Sequence, residues 1–97
     1  MPIYITLMKL TEQGVKSIKD APKRIESGIK YLEKLGGKLI AFYVTLGEYD
    51  YVGIADAPND EVVMRFLLGL GMAGNVRTKT LKAYSAEQMA KIVKDLP

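Results

Sequence analysis

The sequence predicts an α+β domain with the element order βαββαβα, in which helices lie on a four-stranded antiparallel sheet. Three observations predict it. Short runs of β-branched and aromatic residues alternate with longer runs whose apolar residues recur every three or four positions. Two of the strand-like runs are separated only by Gly47-Glu48, whereas the others are joined through helical stretches, so the first six elements read as a ferredoxin-like split β-α-β. The 97 residues, 48% hydrophobic and 26% charged, suit one domain spanning 1–97 around a single modest core.

Taken in order, "IYITLM" (3–8) has strand composition. Thr11 is placed to cap a helix, and Val15, Ile18, Pro22, Ile25, Ile29, Leu32 and Leu35 mark one face over more than five turns. Pro22 would clash with the carbonyl of Ile18, so a break is expected near Asp20, and Gly36-Gly37 ends the helix. "KLIAFYVTL" (38–46) and "YDYVGIA" (49–55) are the next strands, with Gly47 supplying the positive φ of a two-residue turn. Pro58-Asn59-Asp60 opens a helix with Val62, Val63, Phe66, Leu67 and Leu70 as its apolar stripe. "NVRTKTLKAY" (75–84) is the fourth strand. Ser85 and Gln88 form a capping box for a last helix with Met89, Ile92, Val93 and Leu96 on its apolar face.

Composition narrows the chemistry. With no cysteine there is no disulfide and no thiolate site, which suits a cytoplasmic location. With no histidine the commonest general base and metal ligand are missing, and neither a metal site nor a cofactor is expected. No apolar run is long enough for a membrane helix, and "MPIYITLMKL" lacks the basic start of a signal peptide. The net charge of +3 is spread among interleaved acids and bases, as on a solvated mixed surface.

"GLGMAG" (69–74) has the form G-x-G-x-x-G, but it closes a helix and feeds a strand. A dinucleotide-binding turn does the reverse, so that a helix N-terminus meets the phosphates. Gly74 is better placed as a helix C-cap, with Gly69 and Gly71 allowing close approach of the helix to the sheet.

The strands are apolar on both faces. The first sets Ile3, Ile5 and Leu7 against Tyr4, Thr6 and Met8. The second sets Ile40, Phe42 and Val44 against Leu39, Ala41, Tyr43 and Thr45, and the third Val52 and Ile54 against Tyr49, Tyr51, Gly53 and Ala55. In the fourth, Arg77, Lys79, Leu81 and Ala83 share one parity, which calls for a bulge or a strand end beyond the helices. Helices on one side leave the other face bare, and burying each such side chain contributes roughly 1.5–3 kcal/mol. A second copy meeting the first sheet to sheet supplies the cover, which makes a homodimeric α/β barrel. Tyr4, Thr6, Tyr43, Thr45, Tyr49 and Tyr51 then offer hydroxyls among apolar walls, either for a small molecule or as a packed interface. Tyr51 is among the residues expected to be buried by the partner copy.

With "LGEYDYV" followed by "GNVRTKTLKAYS", the chain resembles the GYD domain family, whose glycine-x-tyrosine-aspartate motif stands here as Gly47, Tyr49 and Asp50. The resemblance runs almost end to end and implies a stand-alone dimeric α/β-barrel domain without an established activity. The hairpin is also similar to the effector-binding domain of Lrp/AsnC-type regulators, with Gly47, Asp50 and Tyr51 at the corresponding positions and Thr45 one residue displaced. Asp50 and Arg77 are expected at one end of the sheet, about 10 Å apart, either as an ion pair or facing a ligand with an amine and a carboxylate.

Three functions compete. The first is a homodimeric small-molecule-binding or structural protein. The second is a cofactor-free oxygenase- or isomerase-like enzyme, as in related barrels, with Asp50 as base among the pocket tyrosines. The third is an RNA-binding module stacking bases on Tyr4, Tyr49 and Tyr51, which the acids Glu48 and Asp50 in the same segment oppose.

Overall fold

The computed structural model describes Met1–Pro97. The strands are β1 (Ile3–Leu10), β2 (Lys38–Val44), β3 (Tyr51–Asp56) and β4 (Val76–Ala83). The helices are α1 (Glu12–Lys16), α2 (Ala21–Lys34), α3 (Asp60–Ala73) and α4 (Ala86–Val93), with a short 3-10 turn at Ile18–Asp20. The sheet order is β2-β3-β1-β4 with every neighbour antiparallel, the ferredoxin-like arrangement.

The helical stretch after β1 breaks where proline demands it. Thr11 caps α1 through its hydroxyl, which accepts from Gly14 N at 3.1 Å, and Pro22 sits in the first turn of α2, where its missing N–H costs nothing. The break divides the long apolar stripe. Leu32 is buried and Ile25, Ile29 and Leu35 are half-buried, but Val15 and Ile18 turn outward. Gly36 closes α2 with φ +97° and Gly74 closes α3 with φ +80°. Gly69 differs from expectation. A Cβ there would lie 2.7 Å from the Tyr31 ring, so this glycine brings α3 close to α2, and Gly71 has nothing within 4 Å.

The β2–β3 register pairs Val44 with Tyr51, and Thr45 N donates to Asp50 O at 2.8 Å; the ladder ends there, so residues 45–50 form a longer loop and not the expected two-residue turn with Leu46 paired to Tyr49. The irregularity lies in β2, between Leu39 and Ala41, and not in β4, which pairs with β1 without a shift. That bulge puts Leu39 on the same side as Phe42 and leaves Ile40 exposed.

Tyr4, Thr6 and Met8 of β1, with Tyr51 and Gly53 of β3 and Val76 of β4, are buried beneath α2 and α3. The expectation that Tyr51 lies on the face open to a partner is therefore corrected: it is 6% exposed, packed with Met8 and Val76 under Ile25 and Leu70. The opposite, outer face consists of rows of cross-strand partners. One is Tyr43, Val52, Leu7 and Lys79, and the next is Ala41, Ile54, Ile5 and Leu81. Arg77 and Lys79 of β4 thus belong to the outer face of an edge strand, whereas Lys82 lies on the helix side beside Tyr4.

Every residue of α4 is exposed, although its capping box forms as expected: Ser85 Oγ accepts from Gln88 N at 3.0 Å and Ser85 N donates to Gln88 Oε1 at 2.7 Å. The radius of gyration is 14.9 Å, against about 12.5 Å for a compact domain of this length.

Gly14 is the tightest point in the fold. A Cβ there would lie 2.2 Å from the Asn75 carbonyl oxygen, because α1 crosses the chain directly where β4 begins. Gly14→Ala should lower the stability by about 1–3 kcal/mol, whereas Gly71→Ala should raise it by about 0.5–1 kcal/mol through helix propensity. Paired urea titrations check both signs.

Candidate binding site

The Gly47, Tyr49 and Asp50 motif builds a locked hairpin. Gly47 takes φ +107°, a conformation open to glycine, with free space around it. Thr45 Oγ1 donates to Tyr49 O at 2.6 Å across the loop. Asp50 N donates to Met8 O at 2.9 Å, and Asp50 Oδ2 accepts from Leu10 N at 2.8 Å. The carboxylate thus replaces the ladder bond that β1 loses where β3 bends into the turn, and it ties the hairpin to the central strand. Lys9 Nζ lies 5.6 Å from the centre of the Tyr49 ring.

Asp50 and Arg77 do flank the same end of β1, but they do not pair with each other. Arg77 donates to Gly71 O at 3.2 Å and to Val76 O at 3.0 Å, bracing the α3–β4 connection. With its carboxylate bonded to a backbone amide, Asp50 is a structural anchor in this geometry.

The hydroxyls expected to share one pocket are divided. Tyr4, Thr6 and Tyr51 lie on the helix side, Tyr43 lies on the outer face, and Thr45 and Tyr49 are used in the hairpin. Thr6 Oγ1 and Thr80 Oγ1 are hydrogen-bonded to each other at 3.0 Å. Even and odd positions are equally apolar in β1 and β3, so the sequence could not tell which face the helices take.

At the other end of the sheet the structure assembles a cluster that the spacing did not reveal. The Tyr4 hydroxyl donates to Asp60 Oδ1, which also accepts from Lys82 Nζ at 3.0 Å, and Lys82 Nζ lies 5.9 Å from the Tyr4 ring centre. Burial, with the bond to Asp60, pushes the Tyr4 phenol above its ordinary value. The Tyr4 hydroxyl and then Lys82 hold the Asp60 carboxyl below the usual range, and Asp60 raises the Lys82 ammonium. The three residues are 56 and 22 positions apart along the chain, and only the β1–β4 pairing brings them together.

Between the sheet and the α2–α3 layer lies a cavity of about 440 Å³. Its walls are chiefly apolar, with Met8, Leu10, Ile25, Phe42 and Leu70 among them, and Thr6 and Tyr51 contribute hydroxyl-bearing side chains. No helix is long and apolar enough to cross a membrane.

Fold and site together define a small α+β domain with one bare sheet face, a locked hairpin and a half-open apolar cavity. The chain belongs to the GYD domain family, which matches residues 4–93. It is 37% identical over 84 residues to the "Glutamine synthetase and cystathionine beta-lyase binding protein" of Thermus thermophilus, covering 86% of this chain and 88% of that protein. Among solved structures, TTHA0845 from Thermus thermophilus superposes with a TM-score of 0.53 at 23% identity, covering 89% of this chain and 96% of that one. That likeness shows the shared fold.

Two measurements check this geometry. Asp50→Ala should cost about 1–3 kcal/mol by leaving Leu10 N–H without its carboxylate, while Asp50→Asn, which keeps an acceptor oxygen, should cost less. Because the Asp60 carboxyl titrates lower in the folded chain, its contribution is present above the ordinary aspartate range and is lost as pH falls through the depressed value. The stability gap between the wild type and Asp60→Asn should therefore be steady near pH 7 and shrink below about pH 4. Denaturant titration across that range reads it.

Proposed function

We propose that this chain is a small homodimeric binding protein, closed sheet to sheet with a second copy, that acts by engaging a protein partner and has no reaction of its own. The observation that carries the proposal is the outer sheet face. Ile5, Leu7, Ala41, Val52 and Ile54 form a continuous apolar centre that no element of the same chain covers. A two-fold partner presenting the same rows would bury it, at roughly 25 cal/mol per Å² of apolar area removed from water. Lys9, Arg77 and Lys79 stand at one corner of this face, where a dimer rim remains wet.

The Thermus relative is named for binding two metabolic enzymes, and 37% identity over most of both chains makes an enzyme of that kind the first partner to try. The exposed apolar stripe of α4 is a surface that such a partner could use. Enzymes of that kind and the absence of cysteine both suit a cytoplasmic setting. An enzymatic role through Asp50 has less support, because its carboxylate already holds the Leu10 amide. RNA stacking has less still, since Tyr4 and Tyr51 are buried under the helices.

Sedimentation equilibrium at micromolar concentration should give a dimer for the wild type and a folded monomer for Ile5→Lys, with Met64→Lys, on the exposed side of α3, remaining dimeric. Wild-type protein that stays monomeric overturns the proposal. A pull-down with the cognate glutamine synthetase and cystathionine beta-lyase tests the partner class separately.

A further inference from the structure

The cavity between the sheet and the α2–α3 layer is independent of the dimer face, and its lining is not that of a filled core. No large side chain in the chain is wholly buried, and the packed cluster of Met8, Tyr51 and Val76 borders about 440 Å³ of open space. That volume falls within the range of small-molecule sites, roughly 300–1,000 Å³. The space is half open to solvent, so a ligand can enter it between the helices.

Of the polar side chains around this space, those of Thr6, Tyr31 and Asn75 are already hydrogen-bonded within the protein. Tyr51 is 94% buried (6% exposed) and lines the cavity, yet its hydroxyl bonds to no group of the protein. It is not sealed away either, since Asp56 Oδ1 is the only side-chain polar atom that is both enclosed and unpartnered. The Tyr51 oxygen is thus open to a molecule entering the space. Tyr51 is the first residue of β3 and is paired with Met8, near the end of β1. Arg24 is also in the lining, and its guanidinium donates to Gly14 O at 3.2 Å and to Ser17 O at 2.7 Å, in the segment that follows β1.

Those carbonyls hold the guanidinium in place without neutralising it, and no carboxylate pairs with it. The other charged residues of the lining are Lys23 and Asp20, so two cations stand against one anion. The space runs on between apolar walls to Leu32, Leu39 and Ala55.

We propose that this cavity binds a small amphipathic monocarboxylate, with its apolar body between the helices and the sheet and its carboxylate held by the Tyr51 hydroxyl and the Arg24 guanidinium. An apolar wall releases the body from water, while an uncommitted donor and an unneutralised cation select the charged head.

Decanoate and its neutral counterpart 1-decanol serve as probes, titrated into the full chain by calorimetry and by amide chemical-shift mapping. Decanoate should bind saturably with shifts at Met8, Ile25, Tyr51 and Leu70. Decanol should bind about tenfold more weakly, and Tyr51→Phe should weaken decanoate by a similar factor. Gly28 lines the cavity, and a Cβ there has only Leu70 within 4 Å, at 3.9 Å, so Gly28→Leu can grow into the space. That variant should melt no lower than the wild type and lose decanoate binding.

The proposal is overturned by no saturable binding at millimolar decanoate, by equal affinity for decanol, or by shifts confined to Ile5, Leu7 and Val52 of the outer face. Unchanged binding by a folded Gly28→Leu variant overturns it as well.

Discussion

The central strands β1 and β3 carry apolar side chains on both sides of the sheet, while the helices cover only one side. Everything else in the molecule answers to that constraint. Tyr4, Met8 and Tyr51 pack under α2 and α3, and Ile5, Leu7, Val52 and Ile54 are left on the outer face in registered rows. A strand half buried against its own helices would ordinarily alternate with polar residues. Here the alternation is apolar with apolar, so the free chain ends with an unfinished layer. The extended shape and the wholly exposed α4 are of a piece with this.

The end of the sheet that carries the family motif is organised by backbone hydrogen bonding more than by side-chain chemistry. Gly47 allows the turn, Thr45 clasps Tyr49, and Asp50 takes the Leu10 amide. A few residues further along, Thr11 donates to Gly74 O at 2.6 Å, and its amide donates to Asn75 O at 3.0 Å. The hairpin, the start of α1 and the α3–β4 connection are thus fastened to the end of β1 from both sides. This accounts for the glycine and the aspartate of the motif as structural devices: a buried or half-buried amide without a partner would cost more than an ordinary contact returns.

The chain shares the GYD domain, and the Thermus relative is named as a protein that binds glutamine synthetase and cystathionine beta-lyase. The two surfaces available to other molecules are physically distinct. The outer sheet face is broad and apolar, as suits another polypeptide, whereas the cavity is half open between helices and sheet and lined by apolar side chains with Tyr51 and Arg24 among them. A ligand in the cavity would sit directly behind β1 and β3, whose other side forms the proposed dimer face, so binding in one could influence the other through two shared strands.

Much of this architecture was legible in the residues. Element order follows from hydrophobic periodicity, the break before α2 from Pro22, the caps from Thr11 and Ser85, and the chain reversals from Gly36, Gly47 and Gly74. The same is true of the two-faced apolar sheet and of the placement of Asp50 and Arg77 at one end of it. The elements and their ends are local because each depends on neighbours within a few positions, and the element order then implies the strand order that sets Asp50 and Arg77 at one end. Tertiary structure alone decided which face the helices cover, since both parities of β1 are apolar and a bulge at Ile40 shifts the parity of β2. It also decided that Tyr4 meets Asp60 and Lys82, that Gly14 admits the Asn75 carbonyl, and that Tyr51 opens onto a cavity. Those contacts join residues tens of positions apart, and they form only when β4 pairs with β1 and the helices settle on the sheet.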